Sequence, residues 1–107
     1  PVVTAREVRD SLGSPRVLLV DARPAEAFAK ETIPNSLSLP LHSNWQEETL
    51  ERLRKTPYVV IFCSDERCQV SREVALSLQA RGVSGVKVFP GGMKVWKEMG
   101  FPVVPGQ

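Results

Sequence analysis

Two cysteines, Cys63 and Cys68, are the most chemically capable side chains in this 107-residue sequence. Cys63 closes the run Tyr58-Val59-Val60-Ile61-Phe62, whose unbroken apolar character reads as a buried strand. A loop, Ser64 to Val70, leads into a helical pattern from about Ser71 to Arg81, with Val74, Ala75 and Leu78 as its apolar stripe and Gly82 as its stop. A thiol at such a strand-to-helix junction lies near N–H groups without intrahelical partners and near the positive end of the helix dipole. That setting holds anions, lowers the pKa of a cysteine and makes its thiolate nucleophilic. The alternative is a cysteine simply buried at a strand end, since free Cys is among the most buried residue types. Position alone leaves both open.

The elements that must hold these residues alternate between strand and helix. After Val2-Val3, Thr4 and Glu7 read as a capping box for a helix running to Leu12 and stopped by Gly13. Val17-Leu18-Leu19-Val20 is a second buried strand, with Asp21 at its carboxyl end. Pro24 suits the first turn of a helix carrying Ala25, Phe28 and Ala29. Leu37-Ser38-Leu39 reads as a short strand and Gln46 to Lys55 as a polar helix with Leu50 and Leu53 facing in. Val86-Lys87-Val88-Phe89 is a further strand, Gly91-Gly92 turns the chain into a short helix around Val95 and Trp96, and Phe101 to Val104 is the tail. Short connections between alternating elements predict an α/β domain with a mainly parallel sheet and helices on both faces. Ligands of such sheets bind outside the carboxyl ends of the strands, where Cys63 falls.

Composition narrows the function classes. The chain fits one domain, residues 1–107, and can bury a core without staples. It is 42% hydrophobic and 24% charged, as a folded globular protein is. A net charge of +2 is too small to point to nucleic acid or a membrane surface. No apolar run approaches the roughly 20 residues needed to span a bilayer. No basic-then-apolar leader is visible, and the expected compartment is the cytoplasm, although the chain opens at Pro1 without a Met. Two cysteines cannot form the disulfide framework of a small secreted domain. Together with the lone His42 they fall short of four zinc ligands, so neither metal nor cofactor is expected.

The motifs, taken together, resemble the rhodanese family. Leu18-Leu19-Val20-Asp21-Ala22-Arg23, then Phe28 and Ile33-Pro34-Asn35-Ser36, is similar to its first signature, an apolar strand, Asp-x-Arg, an aromatic, then Gly-His-Ile-Pro-Gly-Ala. Val59 to Cys63 resembles the family strand that ends in the active cysteine. Val86 to Gly92, Trp96 and Gly100-Phe101-Pro102-Val103 resemble its closing signature. The resemblance covers nearly the whole chain in the right order. It implies a three-layer α/β domain with five parallel strands, and a cysteine that takes sulfane sulfur from a donor such as thiosulfate and passes it to cyanide or a thiol. The expected partners are therefore a small anionic sulfur donor or a protein persulfide, and a thiol acceptor.

The departures from the pattern fall around the site. Glu31-Thr32-Ile33 stands where Gly-His-Ile is usual. The loop after Cys63 is about two residues longer than usual, lacks Gly and holds Cys68, as in a subset with Cys, four residues, Cys, two residues, Ser. Cys68 has three readings: a resolving thiol that attacks a Cys63 persulfide or pairs with Cys63, a second sulfur carrier, or a loop residue without chemistry. The expected binding residues are Ser64, Asp65, Glu66, Arg67, Gln69, Val70, Ser71 and Arg72. Arg67 or Arg72 can hold an anionic donor. Asp65 and Glu66 oppose one unless they face solvent. Asp21 is expected to organise backbone amides or pair with an arginine, with Arg23 in support. Two other readings stand beside sulfur transfer. One is a phosphatase, against which Gln69 occupies the position where such loops carry a phosphate-clamping Arg. The other is a non-catalytic or redox-regulatory module that binds a partner protein, against which Cys63 is retained.

Overall fold

The run that reads most clearly as a strand lies at the centre of the molecule. In the computed structural model, which describes residues 1–107, Tyr58–Phe62 forms β3, with Val59 to Phe62 buried. Its pleat sends alternate side chains to opposite faces. Val59 and Ile61 join Leu50, Leu53, Val74 and Leu78 in one apolar cluster, while Val60 and Phe62 join Val8, Ile33, Met93 and Trp96 in another. A sheet that is apolar on both faces must be covered by helices on both. α3 (Glu47–Lys55) and α4 (Val70–Ala80) cover the first face; α1 (Ala5–Ser11) and α5 (Gly92–Glu98) cover the second. β1 (Val17–Asp21), β2 (Ser36–Ser38) and β4 (Val86–Phe89) complete a wholly parallel sheet in the order β2-β1-β3-β4, and α2 (Ala25–Lys30) links β1 to β2. No helix is long and apolar enough to cross a membrane.

The sheet has four strands rather than the five expected. Val2-Val3 reaches the edge of β4 but forms only one parallel bridge, Val2 with Val88, through a Val3 N–H to Val88 carbonyl bond of 2.9 Å. Thr4 is the reason the pairing stops. Its hydroxyl accepts from the Glu7 N–H at 3.2 Å, and the Glu7 carboxylate accepts from the Thr4 N–H at 3.0 Å. This capping box commits the chain to α1 before a ladder can extend.

The strand order sets where chemistry can occur. From β1 the chain crosses outward to β2; from β3 it crosses the other way to β4. The two crossovers diverge between β1 and β3 and leave an opening at the carboxyl ends of those strands, the usual ligand position of open α/β sheets. Asp21 ends β1 opposite Phe62, and Phe62 lies opposite Phe89 at the end of β4. The three ends are therefore level, and Cys63 emerges between the other two.

Asp21 ties this end of the sheet together. It is fully buried, and both its carboxylate oxygens are occupied. Oδ1 accepts from the Arg23 N–H and Nε, each at 3.0 Å; Oδ2 accepts from Arg23 Nη2 at 2.8 Å and the Thr32 hydroxyl at 2.8 Å. Arg23 Nη2 also donates to the Glu31 carbonyl at 2.6 Å. A buried ion pair is tolerable when every lone pair is satisfied, and costly when one partner is removed. We expect Arg23→Ala to destabilise the fold by about 3–5 kcal/mol, because it strands a buried carboxylate. Thr32→Val should cost less, about 1–3 kcal/mol, since only one donor is lost. Urea unfolding of the two variants checks the order; a smaller loss for Arg23→Ala would contradict it.

Candidate active site

Cys63 is the first residue beyond β3 and is 4% exposed. Its backbone is held from the far side of the loop. The Met93 N–H donates to the Cys63 carbonyl at 3.0 Å and the Lys94 N–H donates to the Ser64 carbonyl at 2.8 Å. The first turn of α5 thus spends its unpartnered donors on the start of the loop after β3. This approach requires Gly92, which has φ +60; a Cβ there would stand 2.5 Å from the Cys63 carbonyl oxygen.

The loop then turns back on itself. The Asp65 carboxylate accepts from the Arg67 N–H at 2.9 Å, and the Asp65 carbonyl accepts from the Cys68 N–H at 3.1 Å. The side chain of Asp65 is therefore engaged with the loop backbone, the turn such residues favour. Glu66 is exposed. This fold-back brings Cys68 onto Cys63: their Cα atoms are 6.3 Å apart and the two sulfurs are joined as a disulfide. Cys68 is half-buried, so it is the more accessible half of the pair.

The remaining expected residues lie along this loop and in the first turn of α4. The Ser64 hydroxyl lies 4.0 Å from Cys63 Sγ. Gln69 is the N-cap residue of α4, its carbonyl accepting from the Glu73 N–H at 3.1 Å. Val70 packs on the α3–α4 core and Ser71 is buried. The N–H groups of Ser64, Glu66, Gln69, Val70 and Ser71 have no acceptor within the protein. Arg67 and Arg72 are exposed and pair with no carboxylate. Donors and cations thus gather where α4 begins, which favours an anion.

Sequence reasoning did not single out Lys94, an exposed cation whose backbone holds Ser64, nor Met93 beside it. The signal was present in Gly91-Gly92, a glycine pair before a helix, but its partner lies about thirty residues away in sequence. Thr32, which stands where His is usual, donates to Asp21 Oδ2, a role no sequence signal marks. His42 is an exposed loop residue in the left-handed region, at φ 63. Trp96 is fully buried core, its Nε1 donating to the Pro102 carbonyl at 2.7 Å. Trp45 is half-buried and lies under the Arg81 guanidinium, 4.6 Å from its ring centre. A concavity of about 560 Å³, bounded by Gly13, Val17, Pro34 and Thr56, opens at the opposite end of the sheet from Cys63.

The Gly92 approach can be isolated from backbone strain alone. Gly13 also has positive φ, +83, but open space where a Cβ would go. Gly13→Ala should cost about 1–2 kcal/mol, the left-handed penalty. Gly92→Ala should cost clearly more, about 3 kcal/mol or above, because the Cys63 carbonyl must also move. Equal losses in urea unfolding would contradict the placement of Gly92 against the loop.

Known proteins share this fold. The sequence profile of the family described as "Rhodanese-like domain" matches residues 4–99. Among solved structures, a Bacillus halodurans protein superposes with a TM-score of 0.88 at 24% identity, covering 97% of this chain and 76% of its own. A thiosulfate sulfurtransferase from Pseudomonas aeruginosa matches with a TM-score of 0.82 at 24% identity, over 98% of this chain but only 19% of its own. A rhodanese-related protein from Thermoplasma volcanium matches with a TM-score of 0.77 at 21% identity, over 96% of each chain. No curated protein sequence matches closely enough to count as a relative. At these identities the structural likenesses speak for the fold, and the profile match over most of the chain speaks for descent: the protein belongs to the rhodanese-like domain family.

Proposed function

We propose that this protein is a sulfurtransferase, a single domain over residues 1–107, that carries sulfane sulfur as a persulfide on Cys63. One observation carries the reading: Cys63 stands at the divergence of the two crossovers, at the end of β3, and opens a loop leading to α4 in which several N–H groups lack protein acceptors. With thiosulfate as donor, the Cys63 thiolate attacks the outer sulfur. The bond between the two thiosulfate sulfurs breaks, and sulfite leaves with its electron pair. The persulfide that remains is an anion, and the free donors of the loop suit it. Arg67, Arg72 and Lys94 supply positive charge that draws in a small anionic donor. An acceptor thiol or cyanide then takes the outer sulfur and returns Cys63 to the thiolate.

Asp21 supports this role without joining it. All its lone pairs face Arg23 and Thr32, so it positions the strand end rather than moving a proton. The phosphatase reading is weaker because Gln69, at the clamping position, is an uncharged residue at the N-cap position of α4. The redox-regulatory reading has one observation in its favour, the Cys63–Cys68 bond, which removes the nucleophile until it is reduced.

Thiosulfate mixed with reduced, desalted protein should release about one equivalent of sulfite per chain in a rapid burst. The burst should vanish in Cys63→Ser and in the wild-type protein left oxidised. Sulfite assay by stopped-flow or quench checks this; no burst from reduced protein, or an equal one from Cys63→Ser, would overturn the proposal.

A further inference from the structure

We propose that Cys68 discharges the Cys63 persulfide within the chain, so that the protein releases sulfide and is recharged by an external dithiol; this rests on the sulfurtransferase reading above. The loop brings Cys68 Sγ against Cys63 Sγ itself, joined directly. The position is built rather than incidental. The Cys63 and Ser64 carbonyls are anchored on Met93 and Lys94, and the Asp65 turn and its bond from the Cys68 N–H fold the chain back. A thiol held there is delivered to the inner sulfur of a Cys63 persulfide. Delivery to the outer sulfur, as a second carrier needs, would require Cys68 to stand one sulfur further away.

The step balances. The Cys68 thiol attacks Cys63 Sγ, and an Sγ–Sγ bond forms. The bond from Cys63 Sγ to the outer sulfur breaks, and that sulfur leaves with the electron pair and the Cys68 proton as hydrosulfide. The sulfane sulfur is reduced by two electrons, and the cysteine pair is oxidised by two. Both thiols belong to one short loop, so this step competes well with dilute external acceptors.

Recovery follows from accessibility. In the joined state Cys63 is 4% exposed while Cys68 is half-buried. An external thiolate therefore attacks Cys68, and Cys63 departs as the thiolate, beside the free N–H groups that open α4. A dithiol completes the exchange with its own second thiol and leaves as a disulfide. The acceptor class is thus a dithiol reductant, small or protein-borne, and the product is sulfide rather than a new persulfide.

The test follows sulfite, sulfide and free thiols after thiosulfate is added to reduced, desalted protein without other thiol. Wild type should release about one equivalent each of sulfite and sulfide and lose both thiols, and dithiothreitol should restore them and start a new cycle. Cys68→Ser should release sulfite as before, keep an adduct of about 32 Da, and show a sulfide burst reduced at least ~10-fold. Cys68→Ala should behave alike; the wild-type thiol count alone suffices should either variant fold poorly. Sulfite without sulfide from wild type, or equal sulfide from the Cys68 variants, overturns this inference and leaves Cys63 transfer standing. No sulfite from any of the proteins overturns both.

Discussion

Two backbone hydrogen bonds hold the end of β3 to the start of α5: Met93 N–H to the Cys63 carbonyl and Lys94 N–H to the Ser64 carbonyl. The rest of the site depends on them. They exist because Gly92 lets the two backbones approach where any Cβ would collide, and because Phe62 and Phe89 end their strands level with one another. With Cys63 and Ser64 fixed, the loop has one free end to place. Asp65 uses it to fold Cys68 back over Cys63. The loop therefore closes Cys63 beneath a second cysteine.

Electrostatics divide along the same boundary. Beneath the strand ends, Asp21, Arg23 and Thr32 form a buried set in which every carboxylate oxygen has a donor, and this set holds shape. Above them, around the loop, the N–H groups at the start of α4 and the side chains of Arg67, Arg72 and Lys94 are uncommitted. Committed charge serves folding, and uncommitted charge is available to a ligand. That separation is what a carrier of anionic sulfur needs, since a persulfide must be held without being locked.

The fold was largely legible because its signals are local. β3 and β4 fall where the apolar runs fall, and the Thr4–Glu7 box forms with both of its bonds. The three motifs placed the chain in its family. What failed depended on competition between neighbours. The resemblance implies five strands, but the cap at Thr4 takes the chain away from β4 after the single Val2–Val88 bridge, leaving four. β2 pairs Ser36 to Ser38, one residue earlier than Leu37 to Leu39, because its register is set by β1 and not by its own apolar residues. At the site, Cys63 and its loop were visible as residues, whereas their supports were not. Gly92 on Cys63, Thr32 on Asp21 and the turn of Asp65 on its own backbone are tertiary or single-loop geometries that leave no period in the sequence.

The central claim is that sulfane sulfur enters on Cys63. The sequence allows a direct check, because trypsin cleaves after Arg67 and so separates Cys63 from Cys68. Reduced protein is mixed with thiosulfate, quenched within the burst by a fast alkylating agent, digested and mapped by mass. The account predicts an alkylated persulfide, heavier than the alkylated thiol by about 32 Da, on the Cys63 peptide alone. An adduct on the Cys68 peptide first, or no adduct on either peptide with both thiols still free, would contradict it.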